Sequence, residues 1–292
     1  MTTDLPNREE YIEQAYFFRV FRERLADKIP AQEILETVHE EILATTRLPM
    51  AIEFLKGEIL LTGRMSDGMQ RLGHYFCPFQ SFVMSRAEDD KSKFDQTTAL
   101  LVLEREAEYR SNSPTPSGLF IYQFECIARN RLGYHDGMQA IADDPIYDEE
   151  WAAWVLNLRR HLGARDLAEI IYTASGYRPG RRTVSEQSSE EGGNKLALFD
   201  EKSGRIARAN SGRDPLYMFA ALQRQLGYPT VPKPARRSAA PVIHPVLEQR
   251  LKHLETRLKL LEAENKGGID LSEFYKRLGG DNATDDSEPD SE

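Results

Sequence analysis

The chain has 292 residues, 40% of them hydrophobic and 29% charged, with a formal net charge of −9; that is enough chain for one large core or two smaller ones. No apolar run approaches the ~18 residues of a membrane span, and the opening MTTDLPNREE lacks the basic-then-apolar build of a secretion signal, so the expectation is a cytoplasmic protein with no membrane partner. Its two cysteines, Cys77 and Cys126, sit among aromatic and apolar neighbours, as buried thiols in a reducing compartment would.

Asn7 followed three residues later by Glu10 has the form of a capping box, and Tyr11, Ala15, Phe18 and Leu25 then recur at helical spacing. Tyr16, Phe17 and Phe21 widen that stripe, which suits a helix wedged between others. Pro30 suits the first turn of a second helix with Ile34, Leu35, Val38 and Ile42 on one side. Thr46 is placed to cap a third, through Ile52, Leu55, Ile59 and Leu60, ending at Gly63. After a glycine-containing stretch around Gly68 and Gly73, Pro78 opens a helix bearing Phe79, Phe82 and Val83, and residues 94–110 form the next. The run LFIYQFECIARN from Leu119 has strand-like composition, but a lone buried strand needs a partner, so helix is the expectation. Asp148 caps a helix with Trp151, Trp154, Val155 and Leu158 on one face, and Leu167, Ile170 and Ile171 give a shorter one.

Residues 1–175 thus read as one helical domain, followed by a flexible polar connection at 176–195. In LALFDEKSGRIARA, two apolar runs flank Ser203 and Gly204, which predicts a small β-hairpin. Asp214 and Pro215 start a helix closed by Gly227, so residues 196–227 are expected to pack on the domain as hairpin plus helix. Residues 228–245, rich in Pro, Ala and Arg, read as a linker rather than core.

Leucines recur at Leu247, Leu251, Leu254, Leu258 and Leu261, which makes residues 246–265 a coiled coil with Leu251 and Leu258 at a and the others at d. Arg250 and Arg257 then fall at g and Glu255 and Glu262 at the facing e positions of a parallel partner, whereas an antiparallel pair would oppose like charges. Asn265 takes the next a position, where a polar residue fixes register and favours two strands, while leucine at both a and d leaves a trimer as the alternative. The same stripe could instead dock on its own domain. Beyond it, residues 266–280 hold Ile269, Leu271, Phe274, Tyr275 and Leu278 between glycines, the pattern of a short helix that folds into a partner's groove, or else of a piece that folds back on its own domain or merely ends the coil. Residues 281–292 carry six acids and no base, a disordered acidic tail.

Charge divides by segment: −10 over residues 1–175, +7 over 176–280 and −6 over the tail. The arginines of the basic segment are scattered and its aromatics few, so nucleic acid is not the expected partner. Glu36 and His39 form one E-x-x-H unit, but a di-iron bundle needs two such units and two further glutamates, and Glu104, Glu106 and Glu108 read as a solvated helix face. Cys77 beside His74 has nucleophile ingredients without shown convergence. No Walker loop, GxGxxG, HExxH, CxxC or EF-hand loop is present, and neither metal nor cofactor is expected. The fold class expected is mainly α: a multi-helix N-terminal domain with a small β-hairpin, then the coiled coil and tail. The functional expectation is a non-enzymatic adaptor or scaffold, dimeric through the coil and bound to a protein partner. The alternative is an enzyme or small-molecule sensor whose pocket gathers Tyr75, Glu125, Arg129 and His135.

Overall fold

Asn7 starts the first helix as its spacing requires: its side chain accepts from Glu10 N at 2.8 Å while the Glu10 carboxylate accepts from Asn7 N at 3.0 Å. In the computed structural model the residues described are 6–42, 46–89, 92, 94–177, 197–233 and, near the C-terminus, 254, 257 and 258. They form twelve named helices and no strand: α1 (Arg8–Ala26), α2 (Ala31–Glu41), α3 (Leu48–Thr62), α4 (Met65–Arg71), α5 (Pro78–Ala87), α6 (Gln96–Ser111), α7 (Pro116–Asn130), α8 (Tyr134–Ala142), α9 (Glu149–His161), α10 (Leu167–Thr173), α11 (Glu201–Ala209) and α12 (Pro215–Leu226). The chain divides into two units, Met1–Ala235 and Arg236–Glu292. In the second, Leu254, Arg257 and Leu258 are helical and exposed. The remaining coiled-coil positions, the 269–278 motif, the acidic tail and most of the 176–195 connection lie outside the described residues.

Within the first unit α1 packs chiefly along α6, and α7 sits among α6, α8 and α12. The strand-like run at Leu119 is α7, and every residue from Gly118 to Ile127 is buried. Its aromatic and β-branched composition reflects a helix with core on all sides rather than a strand. Gly118 lets Tyr109 pass: a Cβ there would stand 2.3 Å from the Tyr109 hydroxyl, which donates to Leu226 O at 3.0 Å. Phe120, Trp151, Trp154 and Phe199 form an aromatic cluster with centroids 5.0–6.2 Å apart, in the tilted and edge-on geometries that the ring quadrupole favours.

The structure departs from expectation at several points. The third helix is capped at Arg47 rather than Thr46, and the stretch around Gly68 contains α4. The expected hairpin is instead α11. Asp200 accepts from Ser203 N at 3.0 Å and starts the helix, so Ser203 and Gly204 lie inside it. Gly204 is there for close approach, since a Cβ would fall 2.1 Å from Ser175 Oγ and 2.9 Å from Tyr177 Cβ. The expected linker begins in the core: Tyr228 and Val231 are buried, and Asn130 donates to Pro232 O at 3.2 Å. Glu104 and Glu106, read as solvated, are both buried.

Candidate functional site

The densest chemistry is a sealed network around Glu106. Glu106 and Arg110 lie one turn apart on α6, with Cys77 at the N-cap of α5, Gln123 on α7 and Asp144 just after α8. Arg110 Nη2 stands 3.0 Å from Glu106 Oε1, 3.3 Å from Cys77 Sγ and bonded to Asp144 Oδ2. Gln123 Nε2 donates to Glu106 Oε1 at 2.9 Å and to Asp144 Oδ2 at 3.3 Å, and Tyr147 donates to Gln123 Oε1 at 2.8 Å. The guanidinium also lies 5.8 Å from the Tyr11 ring. Burial raises the Glu106 carboxyl above its ordinary range while Arg110 opposes the shift. Burial likewise pushes the Cys77 thiol up, with Arg110 opposing, and desolvation takes Tyr11 to about 12.

The ligand atoms of Cys77, Glu106 and Asp144 come within 4.8 Å of one another, a spacing a cation could use. A cation is already there: Arg110 reaches all three. A thiol held above its usual pKa is a poor nucleophile, and Cys126 is held high by burial in the same way. Both cysteines are free. The arrangement therefore clamps α5, α6, α7 and the end of α8 together. A chain of amides extends it to α1: Cys77 N donates to Gln80 Oε1, Gln80 Nε2 to Gln14 Oε1, and Gln14 Nε2 to Tyr75 O, at 3.1, 3.1 and 2.8 Å.

Of the four residues expected to line a pocket, only Glu125 and Arg129 meet, as an ion pair one turn apart on α7. Glu125 Oε2 is also 2.7 Å from the Tyr228 hydroxyl, itself 2.9 Å from Phe219 O. Tyr75 is buried against the α1 side, where Glu10 and Glu13 add to the desolvation that raises its pKa, and His135 is exposed on α8. The E-x-x-H pair stays together at the surface of α2, where Glu36 and the exposed His39 line a shallow pocket with Lys56, to which Glu36 is bound.

An open cleft of about 520 Å³ lies between α4, α5 and α8. Its floor holds Ser66, Phe76 and Phe82, and its rim Asp67, Asp136 and Asp143. Arg86 bonds Asp136 across it and lies 5.3 Å from the Phe82 ring. The nearby Glu88 carboxylate accepts from Met65 N and Ser66 N at 2.6 and 3.0 Å and so caps α4. Sequence reasoning missed this cleft because α4 and α8 were not recognised as helices.

One surface feature stands apart from these groups. Met50, Phe54, Leu60 and Leu61 are all exposed on α3, Leu61 at 81%, so this helix is apolar on both its buried and its outer face. No helix among the described residues is long and apolar enough to cross a membrane. Comparison with family models, curated proteins and solved structures finds no match, so the functional reading rests on the residues themselves.

Proposed function

We propose that the chain is a non-enzymatic cytoplasmic adaptor or scaffold that forms a parallel homodimer through residues 246–265. The observation that carries this reading is the state of the seam: Leu254 and Leu258 are helical, at successive d and a positions, and 56% and 58% exposed. Leucines left in water at coiled-coil spacing gain most by meeting a second copy. The chemistry of the first unit supports a binding rather than a catalytic role, because Glu106, Cys77 and Asp144 are enclosed and engaged with Arg110. The outer face of α3 and residues 269–278 are the two surfaces for protein partners, and dimerisation presents each twice.

Light scattering tests the assembly. The full chain, 33.4 kDa per copy, is expected at twice that mass, while a version ending at Ile243 and the full-length Leu254→Lys/Leu258→Lys variant are expected at the single-copy mass. A monomeric full chain overturns the dimer. Deleting residues 266–280 is expected to remove partners from a pull-down with the dimer intact; an unchanged partner set overturns the role of that motif.

A further inference from the structure

Five glycines stand inside the described helices, and the packing accounts for four of them. A Cβ at Gly68, Gly118, Gly137 or Gly204 would come within 2.8 Å of a neighbouring side chain or closer. Gly57, in the middle of α3, differs: a Cβ there would meet nothing within 4 Å, and its φ is not positive. Glycine inside a helix destabilises it relative to alanine, and nothing among the described residues requires glycine at this position.

Gly57 is also the centre of the exposed face of α3. Met50, Glu53, Phe54, Leu60 and Leu61 are exposed with it, and at 3.6 residues per turn all six fall within an arc of roughly 120°. Two apolar side chains precede the glycine and two follow it. Glu53 is the sole charge in the arc, and Arg64, also exposed, stands just past the end of the helix. Lys56 and Glu58, to either side, are paired with Glu36 and Arg71, whereas Glu53 and Arg64 have no ion-pair partner among the described residues.

A second copy of this face, turned antiparallel, meets each of these features with its complement. With the crossing at Gly57, the absent side chains let the two helix backbones approach closely. Met50 and Phe54 of one copy then lie toward Leu60 and Leu61 of the other, and Glu53 lies toward Arg64. A parallel arrangement would set Glu53 against Glu53.

We infer that the outer face of α3 binds a second copy of itself across a two-fold axis at Gly57; this names the partner for a surface read above as protein-binding and rests on that reading. One helix face falls below the roughly 1,200 Å² of a standard interface, so the contact is weak and forms above micromolar concentration. Where the coil pairs two chains, contacts through α3 join one pair to the next.

Light scattering on the full chain from about 1 µM to about 500 µM tests it, in about 0.15 M salt to screen the repulsion between chains of charge −9. The mass at the dilute end reports the coil, and the rise above it reports α3. The wild type is expected to climb beyond two copies, and the full-length Leu254→Lys/Leu258→Lys variant from one copy toward two and no further. In that background, Leu61→Lys and Gly57→Gln are each expected to weaken association about tenfold. Gly57→Gln is also expected to raise Tm by about 1–4 °C, because glutamine is the better helix former. Glu53→Arg and Arg64→Glu are each expected to weaken association about threefold, and the two together to restore it. A mass that stays flat in both chains overturns the contact, as does a Gly57→Gln variant that associates like its parent. Association that the double exchange fails to restore overturns the antiparallel pairing.

Discussion

Asp143 and Asp144 are consecutive, yet the first lines the open cleft and the second is enclosed in the Arg110 network. The same alternation occurs on the facing segment, where Phe76 and Pro78 line the cleft and Cys77 between them faces the network. The two acidic regions are therefore divided by a wall one residue thick, and they differ in solvent rather than in composition. Where water is excluded, two carboxylates must share a guanidinium and the group becomes a clamp. Where water enters, three carboxylates tolerate a single arginine, with Asp136 bonded to Arg86 and Asp143 to Gln139.

Removing each region's arginine is the largest test of this contrast. Arg110→Met strands Glu106 and Asp144 without a cation and is expected to cost about 3–5 kcal/mol in urea unfolding at neutral pH. A loss below 1 kcal/mol would erase the distinction between the two regions. Arg86→Met breaks a pair whose members are 31% and 59% exposed and is expected to cost about 0–1 kcal/mol.

Glu106→Gln sharpens the contrast through pH. The folded-state pKa of Glu106 lies above its ordinary value of 4.5, so both states hold the proton below that pH. As pH rises the unfolded chain releases it first, and the stabilisation present at low pH declines until the folded carboxyl ionises too. The variant lacks this decline, so its stability relative to the wild type is expected to improve between pH 4 and pH 7. An offset that is the same at both would show that Glu106 titrates as an ordinary carboxylate. The smallest effect belongs to the cleft rim: Asp67→Asn and Asp143→Asn are each expected to change unfolding free energy by less than about 0.5 kcal/mol.

Much of the helical frame is legible from local chemistry. Asn7, Asp148 and Asp214 cap the helices they precede, and Gly63 and Gly227 end theirs in the left-handed region. The clamp is less legible because its members are remote in sequence and resemble a charged helix face. One signal was available: Ala99, Leu103, Glu106 and Arg110 follow one another at steps of four, three and four, so the apolar stripe of α6 runs straight into the ion pair. The β-hairpin failed for a different reason. Glycine between two apolar runs reads as a turn, whereas Gly204 marks a place where two segments nearly touch. Only the tertiary packing distinguishes these uses. Tyr228 was similarly hidden, since a proline-rich neighbourhood gives no hint that its first aromatic is an anchor.

That anchor governs where the protein can be shortened. A cut at Gly227, the natural end of α12, would withdraw the phenol from Glu125 and remove Tyr228 and Val231 from the core in which they are buried. A recombinant fragment should extend at least through Pro232, whose carbonyl receives Asn130; poor yield from anything shorter would reflect a missing plug rather than an unstable helical body.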